Sequence, residues 1–404
     1  MRASNQRFRF KDLYNFKGYK FCESYVDNDS ILIVLKRTSK TGKCPCCNRR
    51  CRYIHKRRKR RIRDLDVATS KVYLWIMEYD IDCNCGYCGV EELDFAKEYS
   101  RYTKRFEEKV VVLCTKMCIK DAAKEMRIGW EATKNIDKRN ARKYIIDLSR
   151  VSPEKIGVDE ISYEKGHKYL TVVRDIDLGK VIWIGQKRKK ETLDKFFKEL
   201  GMEKSWHIKA AVIDMWDPYI ASIKANTNAD IVFDKFHISK SINEVVDNVR
   251  KTEFAKADSH ERKCMKKKRF LILSRQKRLD NEKKETLFEL LDINKTLYIT
   301  YLLKEQILDI FDEDNQDAAL NRLEKWFSNV ENAKMNQFSE VVKRIKKYLY
   351  GIVNYFKYKI TNAQSEGFNT KINVIKRKAY GFRDLDYFRL KILQTCGAYH
   401  QNFP

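Results

Sequence analysis

The chain has 404 residues, with 84 Lys or Arg against 56 Asp or Glu, a formal net charge of +28. Hydrophobic residues make up 43% and aromatics 12%, which excludes wholesale disorder. Only 4 prolines and 14 glycines exclude a collagen-like or low-complexity chain. No apolar run reaches the ~18 residues of a membrane span, and the start, MRASNQRFRFKDL, lacks a signal-peptide core. These readings point to a cytoplasmic protein of two to four domains.

So large a positive charge calls for a polyanion. Nucleic acid is the expected partner, because each phosphate that a Lys or Arg neutralises releases counterions. A membrane surface is not expected, since the chain shows neither a lipidation motif nor a basic amphipathic anchor.

In chain order, SILIVLKRT reads as a strand. Seven of the 12 cysteines follow, between Cys44 and Cys88, in CPCCNRRC and CNCGYC. In a chain without an export signal, clustered thiols read as metal ligands rather than disulfides. Cys44 and Cys47 form a CxxC knuckle. Between the two groups, ten of the fifteen residues from Arg49 to Arg63 are Lys or Arg. Such density repels itself unless anions come to it, so HKRRKRRIR reads as a solvated segment that contacts phosphates through Arg57, Arg58, Arg60 and Arg61. KVYLWIMEYDIDC alternates as a strand does. KDAAKEMRIGWEATKNIDKR has the texture of a helix–turn–helix, with Gly129 at the turn and Lys134, Lys138 and Arg139 on the second helix.

At Val151 the texture changes. KIGVDEIS, KYLTVVRDID and KVIWIGQ predict three strands, with DLGK as a hairpin turn. KKETLDKFFKELG predicts an amphipathic helix, HIKAAVIDMW a buried strand, and DPYIASIKANT a helix with Asp217 as its cap. ADIVFDKFHISK predicts a fifth strand followed by a loop. The order βββαβαβ gives a mixed sheet with helices on both faces. From about Ser241 to Lys359 the sequence is helical, and a last helical stretch begins near Asn362.

Three acids occupy unusual places: Asp159 inside the first of these strands, Asp214 at the end of the fourth, and Glu366 at the start of the late helix. In this topology the first and fourth strands are neighbours. Carboxylates that converge repel one another unless cations lie between them, and Mg²⁺ or Mn²⁺ suits oxygen ligands and phosphate. Two such ions would serve an in-line phosphoryl displacement. Glu160 is expected on the opposite face by alternation, and Asp175 and Asp177 belong to the hairpin turn. Asp234 and His237 end the fifth strand, where His237 would contact a scissile phosphate or a flipped base and Asp234 would orient it.

The segments GVDEISYEKGHKYLTVV, VIDMWDPYI, IVFDKFHISKSINEVVDNVRK and SEGFNTKINVIKRKAYGF, in this order, resemble the DDE transposases of bacterial insertion sequences, specifically the ISL-three family. The resemblance covers nearly the whole chain. It implies a multidomain α/β protein: an RNase H-like mixed-sheet core with an all-α insertion, preceded by a small four-cysteine zinc module and a helix–turn–helix domain. The implied layout is an N-terminal segment 1–40, a zinc module 41–95, a helix–turn–helix domain 96–150, the first part of the core 151–250, the insertion 251–358, and C-terminal core helices 359–404. It assigns the catalytic triad to Asp159, Asp214 and Glu366, holding two Mg²⁺ or Mn²⁺ ions, with Asp234 and His237 as a further motif. It suggests Trp326 in the insertion as a residue that stabilises a flipped base or hairpin end, with a place in the core as the alternative. It pairs Cys44 and Cys47 with a second pair about 35 residues on; Cys83 with Cys88 fits, and Cys85 with Cys88 fits as well.

The activity implied is a DNA transposase that binds terminal inverted repeats, cleaves them and joins the freed ends to target DNA, working as a dimer or larger assembly. Lys371, Lys376 and Arg377, after Glu366, would grip the cleaved strand. Two rivals stand beside it: a catalytically silent zinc and helix–turn–helix regulator, and an RNase H-like junction nuclease.

Overall fold

The structure is a computed structural model that describes residues 10–164, 166, 168–360 and 363–397. The chain divides into two compact units, Met1–Lys143 and Tyr144–Pro404.

The first unit is built on one sheet. Its strands β1 (Tyr19–Asp27) and β2 (Ser30–Arg37) form a hairpin. Two short strands, β3 (Gly42–Lys43) and β4 (Arg50–Cys51), pair with each other beside the first Cys knuckle. Then come β5 (Ile54–Val67) and β6 (Ser70–Asp82), a long hairpin, and β7 (Cys88–Val90), which pairs with β6. The sheet order is β1-β2-β6-β5, so strands from residues 1–40 and from the zinc module share one sheet. One face carries Ile33, Leu35, Ile62, Val72, Leu74 and Ile76, all buried. The basic run expected to be a solvated segment is thus the body of β5. Its all-charged alternation hides the period-2 pattern by which a strand is ordinarily read.

Three helices complete the unit: α1 (Lys104–Lys116), α2 (Ile119–Glu125) and α3 (Trp130–Ala141). Phe106, Val110, Leu113, Ala122, Met126 and Ile136 form their shared core. Thr103 caps α1 by accepting from the Phe106 N–H. The turn between α2 and α3 is made by Arg127 in a left-handed conformation (φ 52°), while Gly129 is the N-cap of α3.

The second unit opens with β8 (Lys155–Glu164), β9 (Lys168–Asp175) and β10 (Lys180–Gln186). Helices α4 (Lys190–Leu200) and α5 (Met202–Trp206) lead to β11 (Ala210–Ile213), and α6 (Asp217–Asn226) leads to β12 (Asp230–Phe233). The sheet order is β10-β9-β8-β11-β12, with β8, β11 and β12 parallel. β8 and β11, the first and fourth strands of this unit, are neighbours, as expected from the sequence. Asp217 is the first residue of α6 rather than its cap, which is Trp216.

The chain after β12 does not loop. It enters α7 (Lys235–Lys256) at once, with Asp234 as the cap that accepts from the Phe236 N–H. A helical body follows: α8 (Ser259–Met265), α9 (Arg269–Leu273), α10 (Asn281–Ile293), α11 (Lys295–Ile310), α12 (Gln316–Asn332), α13 (Ser339–Lys347) and α14 (Leu349–Tyr358). Its core is continuous with that under β8, β11 and β12. Gly351 of α14 lies against the Phe233 ring, and a Cβ there would meet Phe233 Cδ2 at 2.5 Å, so only glycine admits this approach. Finally α15 (Ala363–Lys378) and α16 (Leu385–Cys396) cover the other sheet face, where Ile372, Phe388 and Ile392 pack on Leu170, Val172 and Ile184.

Candidate functional site

The acid site follows from strand register. In the parallel pair of β8 and β11, Gly157 is opposite Val212. Two residues further along each come Asp159 and Asp214, on strands about 4.8 Å apart and on the same face. Both line one cavity of about 150 Å³, together with Glu160, Met215, Trp216, Tyr219, His237 and Arg344. Asp159 is held on both oxygens: Oδ1 accepts the Glu160 N–H at 2.7 Å, and Oδ2 accepts from Asn369 Nδ2 of α15 at 3.0 Å. Burial, with the neighbouring Asp214 carboxylate adding to it, pushes Asp159 above the usual carboxylate range.

His237 sits in the first turn of α7, and its Nε2 lies 2.6 Å from Asp214 Oδ1. That bond pushes the imidazole above its ordinary value. The ring is therefore oriented by Asp214, while Asp234, expected to orient it, caps the helix on which it stands. Glu160 borders the same cavity despite alternation, but its carboxylate is tied to Arg188 Nη1 at 2.9 Å. Helix α15 carries position 366, but the Glu366 side chain lies outside the described residues. Further along α15, Lys371 and Arg377 are exposed, and Lys376 Nζ donates to the Ser162 carbonyl at 3.3 Å.

Sequence reasoning missed two neighbours of the site. Asn369 was hidden as one polar residue among many in a helix. Arg174 of β9 is 1% exposed, with the charges of Asp159 and Asp234 acting on it. Its room is made by Gly157, where a Cβ would meet Arg174 Nη2 and Ile176 Cδ1, each at 2.8 Å. The glycine in GVDE was the available signal.

Trp326 is a correction. It is 1% exposed, its Nε1 donates to the Leu303 carbonyl at 2.8 Å, and Phe327 and Phe338 pack against it. An indole so enclosed is a core residue of the helical body and offers no face to DNA.

In the first unit, Cys44, Cys47, Cys83 and Cys85 bring their Sγ atoms within 4.8 Å of one another. Cys44 and Cys85 are 3.7 Å apart, and Cys47 and Cys83 3.5 Å. A tetrahedral zinc site with Zn–S of about 2.3 Å needs edges near these lengths, so the donor set fits zinc. Each knuckle is closed by a left-handed residue, Asn48 (φ 60°) and Gly86 (φ 87°). Against the raising effect of burial, the N–H groups of Cys47 and Cys46 bring the Cys44 thiol down to about 7. The cysteine that completes this cluster is Cys85, so the second pair is Cys83 with Cys85, whereas both pairings expected from the sequence included Cys88. Cys88 stands outside the group because it already starts β7, opposite Asp82.

The basic strand β5 sorts its charges by face. Arg58 and Arg60 pair with Asp80 and Glu78 across the hairpin, and Arg60 also donates to the Lys97 carbonyl at 2.8 Å. On the other face Arg57, Lys59 and Arg61 are exposed and lie over Tyr79, Trp75 and Tyr73, at 5.8, 5.5 and 3.8 Å. In α3, Lys134 lies over the exposed Trp130 ring at 5.5 Å, and Arg139 is bound to Glu107 Oε1 at 2.5 Å. Lys138 is half-buried.

The chain is similar to known proteins along most of its length. Residues 156–392 match the ISL3 family profile described as transposase. Residues 91–139 match the helix-turn-helix domain of transposase family ISL3, and residues 40–88 the zinc-finger of transposase IS204/IS1001/IS1096/IS1165. The chain is 33% identical over 368 residues to the transposase for insertion sequence element IS1001 of Bordetella parapertussis, covering 90% of this chain and 91% of that protein. It is 27% identical over 401 residues to the transposase for IS1557 of Mycobacterium tuberculosis, covering 92% and 89%.

The chain belongs to the ISL3 family of insertion-sequence transposases. The transposase therefore carries a zinc ribbon and a DNA-binding helix–turn–helix ahead of its catalytic domain, as the sequence implied. Among its described residues no helix is long and apolar enough to cross a membrane.

Proposed function

We propose that this transposase cuts and joins DNA through Asp159, Asp214 and Glu366, which together would hold two Mg²⁺ or Mn²⁺ ions. The observation that carries this reading is the pairing of Asp159 and Asp214 on adjacent parallel strands in one cavity. Position 366 stands three residues before Asn369 in α15, the spacing of neighbours on a helix face, and Asn369 reaches Asp159. The bound ions would supply activation of the attacking hydroxyl and stabilisation of the leaving oxygen.

The chain's own groups do the rest. Asn369 and the Glu160 N–H fix the Asp159 carboxylate. Asp234 fixes the start of α7, so that His237 meets Asp214 and stands ready to bond a phosphate oxygen. Arg174, on the same sheet face two residues along the register, places a buried positive charge near Asp159. Water would attack at the element end, and the freed 3′-hydroxyl would then attack target DNA.

For recognition of the inverted repeats, we assign Arg57, Lys59 and Arg61 on β5 and helix α3 with Lys134 and Lys138. Arg58, Arg60 and Arg139, named from the sequence as DNA contacts, serve the fold through their carboxylate partners. Lys371 and Arg377 remain assigned to the cleaved strand. Two ends must be joined, so the working form is a dimer or larger assembly in the cytoplasm.

The test is cleavage of inverted-repeat DNA with Mg²⁺ by the wild type and Asp214→Ala. Cleavage by the wild type alone supports the assignment, and equal cleavage by both refutes it. Strand transfer of the cut end into a plasmid separates a transposase from a junction nuclease, which cleaves without joining. For the zinc ribbon, one zinc per chain is expected, lost in Cys85→Ser and kept in Cys88→Ser.

A further inference from the structure

A second, larger hollow adjoins the acid cavity. Its volume is about 780 Å³, and Trp216 is part of both walls. Its lining is basic and aromatic: Tyr163, Tyr169, Lys187, Arg188, Lys189 and Trp216 among others. The volume falls in the range of ligand clefts, roughly 300–1,000 Å³.

The hollow is built rather than incidental. The Arg188 guanidinium lies over two rings, 4.2 Å from the Tyr169 centroid and 4.7 Å from that of Trp216. Arg188 is also tied to Glu160 at 2.9 Å, and its carbonyl accepts the Trp216 indole N–H at 3.2 Å. These bonds fix the planes of the guanidinium and the indole. Trp216 still leaves 36% of its surface open. Lys187 stands in a left-handed conformation (φ 75°), held by its N–H bond to the Tyr169 carbonyl at 2.8 Å. A lysine kept there costs strain, which is retained where surrounding contacts over-determine the backbone. Lys187 and Lys189 are exposed at the rim.

Stacking surfaces flanked by cations are the means by which proteins hold unpaired nucleotides, since every base offers a π-face and every linkage a phosphate. A paired duplex hides its base faces and has no use for an open indole. We propose that this hollow binds an unpaired nucleotide of the DNA strand that leaves the acid site. Its base stacks on Trp216 beside Arg188 and Tyr169, and its phosphates meet Lys187 and Lys189. The subsite thus names the substrate form: DNA whose strand is unpaired next to the scissile phosphate. It rests on the reading that Asp159 and Asp214 act on DNA.

The test is the ratio of affinities of the full chain for two fluorescently labelled DNAs of one sequence, a blunt duplex and the same duplex with a short single-stranded overhang. It is read by anisotropy without added Mg²⁺ or Mn²⁺ and without a chelator, so metal-dependent cleavage does not enter and the zinc ribbon keeps its metal. The wild type is expected to favour the overhang by about tenfold, the effect of one stacked base. Trp216→Ala should bring the ratio close to one, while Trp216→Phe, which keeps a ring, should retain most of it. An overhang made abasic at its first position should behave as Trp216→Ala does. A wild-type ratio of one, or an unchanged ratio in Trp216→Ala, would overturn the proposal. Loss of cleavage in Asp214→Ala with no overhang preference would uphold the acid site and overturn this subsite alone.

Discussion

Two dense groups of charge in this molecule are handled in opposite ways. On β5, Arg58 and Arg60 find carboxylates across the hairpin, and Arg57, Lys59 and Arg61 rest on aromatic rings. Within β8 and just past the end of β11, Asp159 and Asp214 are set beside each other, with an amide, a backbone N–H and one imidazole as partners. The first arrangement serves folding on one face and leaves charge available on the other. The second concentrates like charge where burial opposes it, a state that stability alone would not select and that a bound cation relieves.

The largest expected effect sharpens that contrast directly. Asp159→Asn should lower Mg²⁺-dependent cleavage by more than the ~100-fold that loss of a supporting partner costs. Its melting temperature without metal should not fall, because the substitution removes a carboxylate raised by burial and by Asp214. A large drop in melting temperature would mean that the acid is structural. Gly157→Ala acts on the same site through packing. Its added methyl meets Arg174 and Ile176 at 2.8 Å, so thermal unfolding should show a loss of about 1–3 kcal/mol.

On the basic strand the two faces should separate. Arg60→Gln leaves Glu78 buried without its partner and should destabilise the first unit by about 1–3 kcal/mol, read by denaturant unfolding. Arg61→Gln should leave stability unchanged and lower the slope of log affinity against log salt by about 0.9. If Arg60→Gln changes the slope and Arg61→Gln the stability, the division of the strand is wrong.

The smallest effect concerns a matched acid in the helical body. Burial alone would raise Asp247, but Arg269, Arg250 and Lys251 outweigh it and hold the carboxyl down to about 2. A depressed carboxyl contributes stability that is complete above its unfolded value near 4 and lost as pH falls through about 2. The difference in melting temperature between wild type and Asp247→Asn should therefore close over that window.

Much of this was legible in the sequence, for physical reasons. Three strands followed by two αβ steps admit few sheet orders, and that order makes the strands of Asp159 and Asp214 neighbours. Buried strands such as AAVI declare themselves by unbroken hydrophobicity. β5 was not legible on its own, because a run of charges has no inside. Its order is written on β6, where Glu78 and Asp80 alternate with Trp75, Met77 and Tyr79. The choice of Cys85 over Cys88 depends on the turn closed by Gly86, which spacing alone does not decide. For Trp326 the structure takes the core alternative. An aromatic in the right domain looked functional, yet a helical body of this size needs large residues for its core, and the open indole beside the acids is Trp216.

The most direct test of the acid pair is a Mn²⁺ anomalous-scattering experiment on crystals of the protein bound to its inverted-repeat DNA. The account predicts a peak within coordination distance of both the Asp159 and Asp214 carboxylates, lost in Asp214→Ala. Manganese bound elsewhere, with those two carboxylates contacting protein alone, would contradict it.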